Sequence, residues 1–399
     1  MKILIAVFLI ALTVIYPVNK VSGETNEQKR IEDPTVKALG AVLMDYKTGR
    51  VLWGKNEHIP LAMASTTKIM TAVLAIESGK LDEICVASKV AALTPKVKMG
   101  LSTGEKVKMS DLLYALMLES QNDAAVAIAE HIGGTTENFC VMMTEKAKEI
   151  GAEDTVFETP NGLDRGDHHS TAYDMAIIAR YALSIPAFVD LINTKNKSFS
   201  SDRRSYSFVN KNRLLYEYEG ANGIKTGFTG RAGHCFVGAA QRGEMELISV
   251  VLGSGWGAAG KSQKWVDTKA VLNYGFSNYK YYNIIQAGQK AGEVPVTRSR
   301  DKSVVCVFGE ELALPLRSDE IGDVKITEHK PQQVKAPVNA GDILGEAEVS
   351  VNGVMIAKVP LKADFAAQRH DLKTSLEKVL NCVVNCSTRA DAKVVLPEF

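Results

Sequence analysis

The sequence predicts an α/β domain, then a small all-β domain and a terminal amphipathic helix. Three observations carry that reading. Apolar runs at 38–44 and 50–53 flank Asp45-Tyr46-Lys47-Thr48-Gly49, a hairpin turn whose glycine supplies positive φ. Apolar helices follow, and strands return at 220–253; helices enclosed by early and late strands imply one α/β unit in which those strands share a sheet. Beyond residue 283 only short strands remain, and Asn352-Gly353 between alternating apolar positions marks a hairpin.

In order, Met1-Lys2, an apolar run at 3–18 and the small residues of Val21-Ser22-Gly23 have the layout of a secretory signal peptide. The run is short for a full membrane span. Residues 24–34 are polar and read as a linker. The expected domains are therefore 1–23 signal peptide, 24–34 linker, 35–283 α/β domain, 284–364 all-β domain and 365–399 amphipathic tail.

Within the α/β domain, the stretch 62–79 holds an apolar helix expected to open at Ser65-Thr66-Thr67-Lys68 and to end on Glu77-Ser78, with Gly79 as its stop. Ser110 or Asp111 is expected to cap a second helix over 112–118. It breaks at Glu119-Ser120-Gln121-Asn122, and helix resumes at 123–132. Amphipathic helix is expected at 137–150, a turn at 159–164 and a further helix at 171–183. His168 and His169 lie between those last two; adjacent histidines point apart, so they read as loop contacts rather than metal ligands. Residues 195–213 are charged and strand-like. Lys225 falls on a strand before the hairpin 235–253, and a helix over 261–274 closes the domain.

The later domain carries strands at 304–308, 312–316, 324–327 and 346–361. In the tail, Leu372, Leu376, Val379, Leu380, Val383 and Val384 recur at helical spacing, one apolar face that suits a membrane surface or packing on the β domain.

Length and composition bound the rest. A chain of 399 residues with 46% hydrophobic residues has ample core for two or three domains. A net charge of +1 gives no basic excess to neutralise phosphates, which argues against a nucleic-acid partner. Six scattered cysteines (Cys85, Cys140, Cys235, Cys306, Cys382, Cys386) are not a disulfide framework. No metal site or cofactor motif is evident.

The chemistry is concentrated in three motifs. In Ser65-x-x-Lys68, a separation of three puts hydroxyl and amine on one helical face. Serine becomes a nucleophile when an adjacent base takes its proton, and lysine becomes that base when burial or a neighbouring cation lowers its pKa. The apolar residues after Lys68 favour such burial. The pattern alone is not specific, since it recurs at Ser277/Lys280, Ser299/Lys302 and Ser375/Lys378, and Ser65 also suits a helix N-cap. The second motif is Ser120-Gln121-Asn122, in the break between helices. The third is Lys225-Thr226-Gly227, on the strand before a hairpin. Ser350-Val351-Asn352 and Lys47-Thr48-Gly49 are decoys for these two. Only one choice gives a helix start, an interhelical loop and a late strand in that order.

The ordered triplet resembles that of active-site serine β-lactamases and penicillin-binding proteins. The segments from Ala64, from Leu116, at Asn161-Gly162-Leu163-Asp164 with 169–174, and from Asn222 narrow the likeness to low-molecular-mass penicillin-binding proteins that are serine-type D-Ala-D-Ala carboxypeptidases. The resemblance implies a β-lactamase/transpeptidase-like domain and an exported enzyme at the outer face of the bacterial cytoplasmic membrane or cell wall. It implies trimming of the terminal D-alanine from peptidoglycan pentapeptides, acylation by β-lactams, and contact with the membrane through the C-terminal helix. On this likeness Ser65 is the nucleophile, Lys68 its base and Ser120 the proton relay. Asn122 holds the substrate amide and the Lys68 amine, and Lys225 and Thr226 take the terminal carboxylate. Gly227 admits the substrate backbone, and the N–H groups of Ser65 and Phe228 form the oxyanion hole. Where the family often has arginines beside the carboxylate, this chain has Lys211 and Lys264, which lack the bidentate fork.

Two rival functions are distinguishable. A class A β-lactamase would need a Glu-x-x-Leu-Asn segment, of which Asp190-Leu191-Ile192-Asn193 is a poor imitation. A non-catalytic muropeptide-binding protein would not need Ser65, Lys68, Ser120, Asn122 and Lys225 together.

Overall fold

The structure, a computed structural model, describes residues 12–13, 32–370, 376 and 379–380. It divides at Lys280 into two compact units.

The first unit is built on a five-stranded sheet in the order Val51–Lys55, Gly40–Asp45, Met245–Leu252, Gly233–Arg242, Ala221–Thr229. Every neighbouring pair is antiparallel, and Val250 stands opposite both Val42 and Val237. Early and late strands thus share one sheet. Residues 233–240 are buried without alternation, as in a central strand covered on both faces. Ala221–Thr229 is an outer strand, with Lys225 opposite Val237 and Gly227 opposite Cys235.

The helices are α1 (Lys68–Glu77), α2 (Lys89–Leu93), α3 (Met109–Leu118), α4 (Asn122–Gly133), α5 (Thr136–Glu149), α6 (Ala172–Leu183), α7 (Pro186–Asn193), α8 (Leu214–Glu217) and α9 (Gly257–Asn278). Residues Lys68 to Ala75 of α1 are all buried, the mark of an interior helix. It packs among α3, α4, α5 and α6. The sheet and this helical cluster bury one continuous apolar core.

Several boundaries differ from the sequence reading. Ala64–Thr67 forms a 3₁₀ turn, and the α-helix begins at Lys68, so Ser65 is not an N-cap. Ser110 and Asp111 lie inside the first turn of α3, whose N-cap is Lys108; there Asp111 places a negative charge by the N-terminal amides. Helix α9 starts at Gly257 rather than 261.

In the second unit, Val324–His329, Ile343–Val351, Val354–Ala363, Ser303–Phe308 and Lys290–Thr297 are successive antiparallel neighbours. The two-residue strand Leu12–Thr13 pairs with Val324–His329 at one end, and Val334–Lys335 lies parallel to Lys290–Thr297 at the other. Asn352 and Gly353 take φ 53° and 77° at the tip of the long hairpin, as a two-residue turn requires.

Residues 365–370 belong to this unit: Ala367 is buried in its core and bridges Val338. The first residues of the tail expected from Phe365 therefore pack with the β unit. Leu376, Val379 and Leu380 are helical and exposed; the rest of that segment, with Leu372, Val383, Val384, Cys382 and Cys386, lies outside the described residues. So does the expected signal peptide, apart from Leu12 and Thr13.

Candidate active site

The 3₁₀ turn that carries Ser65 is knitted by its own threonines. Thr66 Oγ1 donates to Met63 O at 2.7 Å and Thr67 Oγ1 to Ala64 O at 2.8 Å. His168 is buried behind them. Its Nδ1 accepts from Glu158 N at 3.0 Å, leaving Nε2–H to donate to Thr67 Oγ1 at 2.8 Å. Burial pushes His168 down to about 4, so the neutral ring holds one tautomer at neutral pH. His168 and His169 do diverge: His169 Nδ1 faces Asp167.

Lys68 is fully buried, and its Nζ meets Ser65 Oγ at 2.8 Å, Asn122 Oδ1 at 2.8 Å and the Asn161 carbonyl at 2.6 Å. An ammonium has three hydrogens for three acceptors. The neutral amine keeps two for Asn122 and Asn161, and its lone pair then faces the Ser65 hydroxyl. Burial, then the charge of Lys225, holds Lys68 well below the usual lysine range, while Asp123 opposes them. The site thus favours the proton-accepting form of the amine.

Asn122 opens α4, with its backbone N–H on Val97 O at 2.8 Å and its Nδ2 on Pro95 O at 3.2 Å. Ser120 sits two residues earlier, at φ 67° in the turn from α3. That left-handed conformation is uncommon for serine and reverses the chain within a short loop.

The outer strand brings the third motif against the serine turn. A Cβ at Gly227 would lie 3.0 Å from Ser65 N and 3.1 Å from Ala64 Cβ. This close approach is itself a reason for glycine at 227. Lys225 is 2% exposed and donates to Thr226 O at 3.0 Å. Burial, then Lys264, pushes Lys225 down to about 7. Burial, then Lys261, pushes Lys264 to about 8. Lys264 lies 3.5 Å from His234 Nδ1, and the His234 ring stacks on half-exposed Phe228 at 4.4 Å between centroids. Two buried amines that repel each other suit an anion, whose arrival would relieve that repulsion.

The structure thus joins Ser65, Lys68 and Asn122 directly, sets Gly227 on the serine turn, and couples Lys225 to Lys68 through charge. Lys264 belongs to the same cationic chain. The exposed Lys211 side chain pairs with Glu119, the neighbour of Ser120, at 3.2 Å. The decoy Lys47-Thr48-Gly49 lies in a turn closed by Thr48 on Asp45 at 2.6 Å. The sequence assigns no role to the Asn161 carbonyl or to Asp123 and marks His168 only as a loop contact. The Asn161-Gly162 turn was the available signal, for a Cβ at Gly162 (φ +83°) would lie 2.0 Å from Ala64 O. Among the described residues no His, Cys, Asp and Glu cluster could hold a metal ion.

The chain is similar to known proteins along most of its length. The family model described as D-alanyl-D-alanine carboxypeptidase matches residues 27–255. That of the penicillin-binding protein 5 C-terminal domain matches 279–369. The chain is 32% identical to the D-alanyl-D-alanine carboxypeptidase DacF of Bacillus subtilis over 88% of this chain and 91% of that protein. It is 31% identical to DacD of Salmonella typhimurium, over 83% and 86%. Penicillin-binding protein 5 from Haemophilus influenzae superposes with a TM-score of 0.72 at 29% identity, covering 85% of this chain and 100% of that one.

Proposed function

Because the chain belongs to the D-alanyl-D-alanine carboxypeptidase family, we propose that its reaction, removal of the terminal D-alanine from peptidoglycan pentapeptides, runs through an acyl-enzyme on Ser65. The observation that carries this assignment is the 2.8 Å contact between Lys68 Nζ and Ser65 Oγ in a fully buried setting. Neutral Lys68 takes the Ser65 proton as Oγ attacks the carbonyl of the penultimate D-alanine. The N–H groups of Ser65 and Phe228 receive the oxyanion; one such donor is typically worth ~10²–10³ in rate. The C–N bond then breaks. The proton passes from Lys68 through the Ser120 hydroxyl to the leaving amine, and free D-alanine departs. Water, activated by Lys68, cleaves the ester and restores Ser65, leaving a peptide one residue shorter.

Asn122 supports this cycle by holding the Lys68 amine and offering its amide to the substrate. Lys225 and Thr226 supply charge and a hydroxyl to the terminal carboxylate, with Lys264 behind them. β-Lactams acylate the same serine. The substrate lies outside the cytoplasm, which supports export. Exposed Leu376, Val379 and Leu380, at helical spacing, support a membrane-surface role for the terminal segment.

Ser65→Ala tests the assignment. The variant should fold, release no D-alanine from a pentapeptide and take no covalent label from a fluorescent penicillin. Labelling at the wild-type level would exclude Ser65 as nucleophile.

A further inference from the structure

Asp123 follows Asn122 on α4 and takes its hydrogen bonds from backbone amides rather than from the reacting groups. It is fully buried, and its carboxylate accepts from three successive amides: Met99 N at 3.0 Å, Gly100 N at 2.8 Å and Leu101 N at 3.0 Å. A fourth N–H, that of Ala124, lies 3.1 Å from Oδ1. The segment held in this way is the one that holds Asn122. Pro95 O takes the Asn122 side-chain amide and Val97 O its backbone N–H. Asn122 Oδ1 in turn takes a hydrogen from Lys68.

We propose that Asp123 is a positioning residue for acylation: its carboxylate clamps the 95–101 segment, whose carbonyls fix Asn122 against Lys68. The inference rests on the reading of Lys68 as the base of Ser65. A carboxylate is suited to the clamp because it has lone pairs for several convergent N–H donors, whereas an amide offers one accepting oxygen and adds two unwanted donors. Geometry matters here because misplacing a catalytic group by about 1 Å can cost about 10²-fold in rate.

Charge gives the clamp a second effect. Lys68 feels Lys225 from the outer strand, which lowers its pKa, and Asp123 from α4, which raises it. Asn122, Asn161 and Ser65, the other groups around its Nζ, are neutral. The charge of Asp123 also reaches Tyr206, whose hydroxyl donates to Glu105 at 2.7 Å, with Arg204 3.1 Å from the same carboxylate. Removing the Asp123 charge would leave Lys225 unopposed and lower the Lys68 pKa further.

The test measures the rate of acylation by benzylpenicillin against pH for the wild type, Asp123→Asn and Asp123→Glu, each first shown to melt cooperatively. Asp123→Asn should acylate about 10²-fold more slowly at its plateau, with the acid limb moved to lower pH. Asp123→Glu keeps the charge but displaces the oxygens, so its rate should fall with the limb unmoved. Asp123→Asn acylating at the wild-type rate, or slowly with its limb unmoved or raised, overturns the proposal. Should Asp123→Asn not fold, a wild-type rate in Asp123→Glu overturns it. Failure of the underlying reading looks different: the wild type itself would then show no adduct on Ser65.

Discussion

The buried charge of Lys225 lowers the proton affinity of the equally buried Lys68 amine. One cation therefore serves two purposes, tuning the base and preparing the pocket for a carboxylate. In Lys225→Met the Lys68 pKa should rise, because a like charge has gone. Lys68 acts as the neutral amine, so the acid limb of penicillin acylation should move to higher pH. The KM for a pentapeptide should rise at least about tenfold, since a charge-assisted contact is lost. An unmoved acid limb would show that Lys225 binds substrate without tuning Lys68.

Lys264 predicts the opposite limb. Lys225 lies at about 7, with Lys264 contributing after burial. A carboxylate is held by the protonated amine, so kcat/KM should fall as pH rises through about 7, where free-enzyme groups are read. Lys264→Met removes the repelling charge and should move that limb to higher pH. A limb that stays in place would mean the repulsion from Lys264 is negligible.

Gly162 predicts a coupled loss of stability and rate. An added Cβ would strike Ala64 O at 2.0 Å, at a φ of +83° that L-residues avoid. Gly162→Ala should cost about 1–3 kcal/mol from strain alone, and should slow acylation by shifting the serine turn and the Asn161 carbonyl. Thermal melting and acylation measured on the same sample check both. An unchanged Tm with a wild-type rate would show that the turn yields freely.

Truncation separates the tail from the β unit. Removing residues 371–399 should leave the melting temperature and D-alanine release unchanged while freeing the protein from sedimenting membranes. Removing residues from 365 onward should lower the Tm as well, because Ala367 is then lost from the second core. Unaltered sedimentation after the shorter cut would rule out the terminal segment as the anchor.

Much of this site was legible because its chemistry is local. A serine and a lysine three apart on a helical turn must face each other, and the Lys68 burial followed from the apolar residues after it. What the sequence did not reveal lies in long-range contacts. Asp123 looks like an ordinary first-turn acid until its carboxylate meets amides 22 to 24 residues away. The third partner of Lys68 is a main-chain carbonyl, which any residue type supplies. In the second unit the strand Lys290–Thr297 is hard to read from sequence because a bulge puts two residues, Gly292 and Glu293, between the inward-facing Ala291 and Val294 and so breaks the alternation. Ser65 suits a cap because serine favours helix starts; in the structure it lies in a 3₁₀ turn that opens with Ala64 at φ 49°, and the α-helix starts only at Lys68.

The most direct test is intact-mass measurement of the protein during incubation with benzylpenicillin, followed by peptide mapping of the adduct. A single, slowly released penicilloyl group on Ser65, absent from both Ser65→Ala and Lys68→Ala, is the predicted result. An adduct on another residue, or rapid turnover of the antibiotic with none detected, would contradict it.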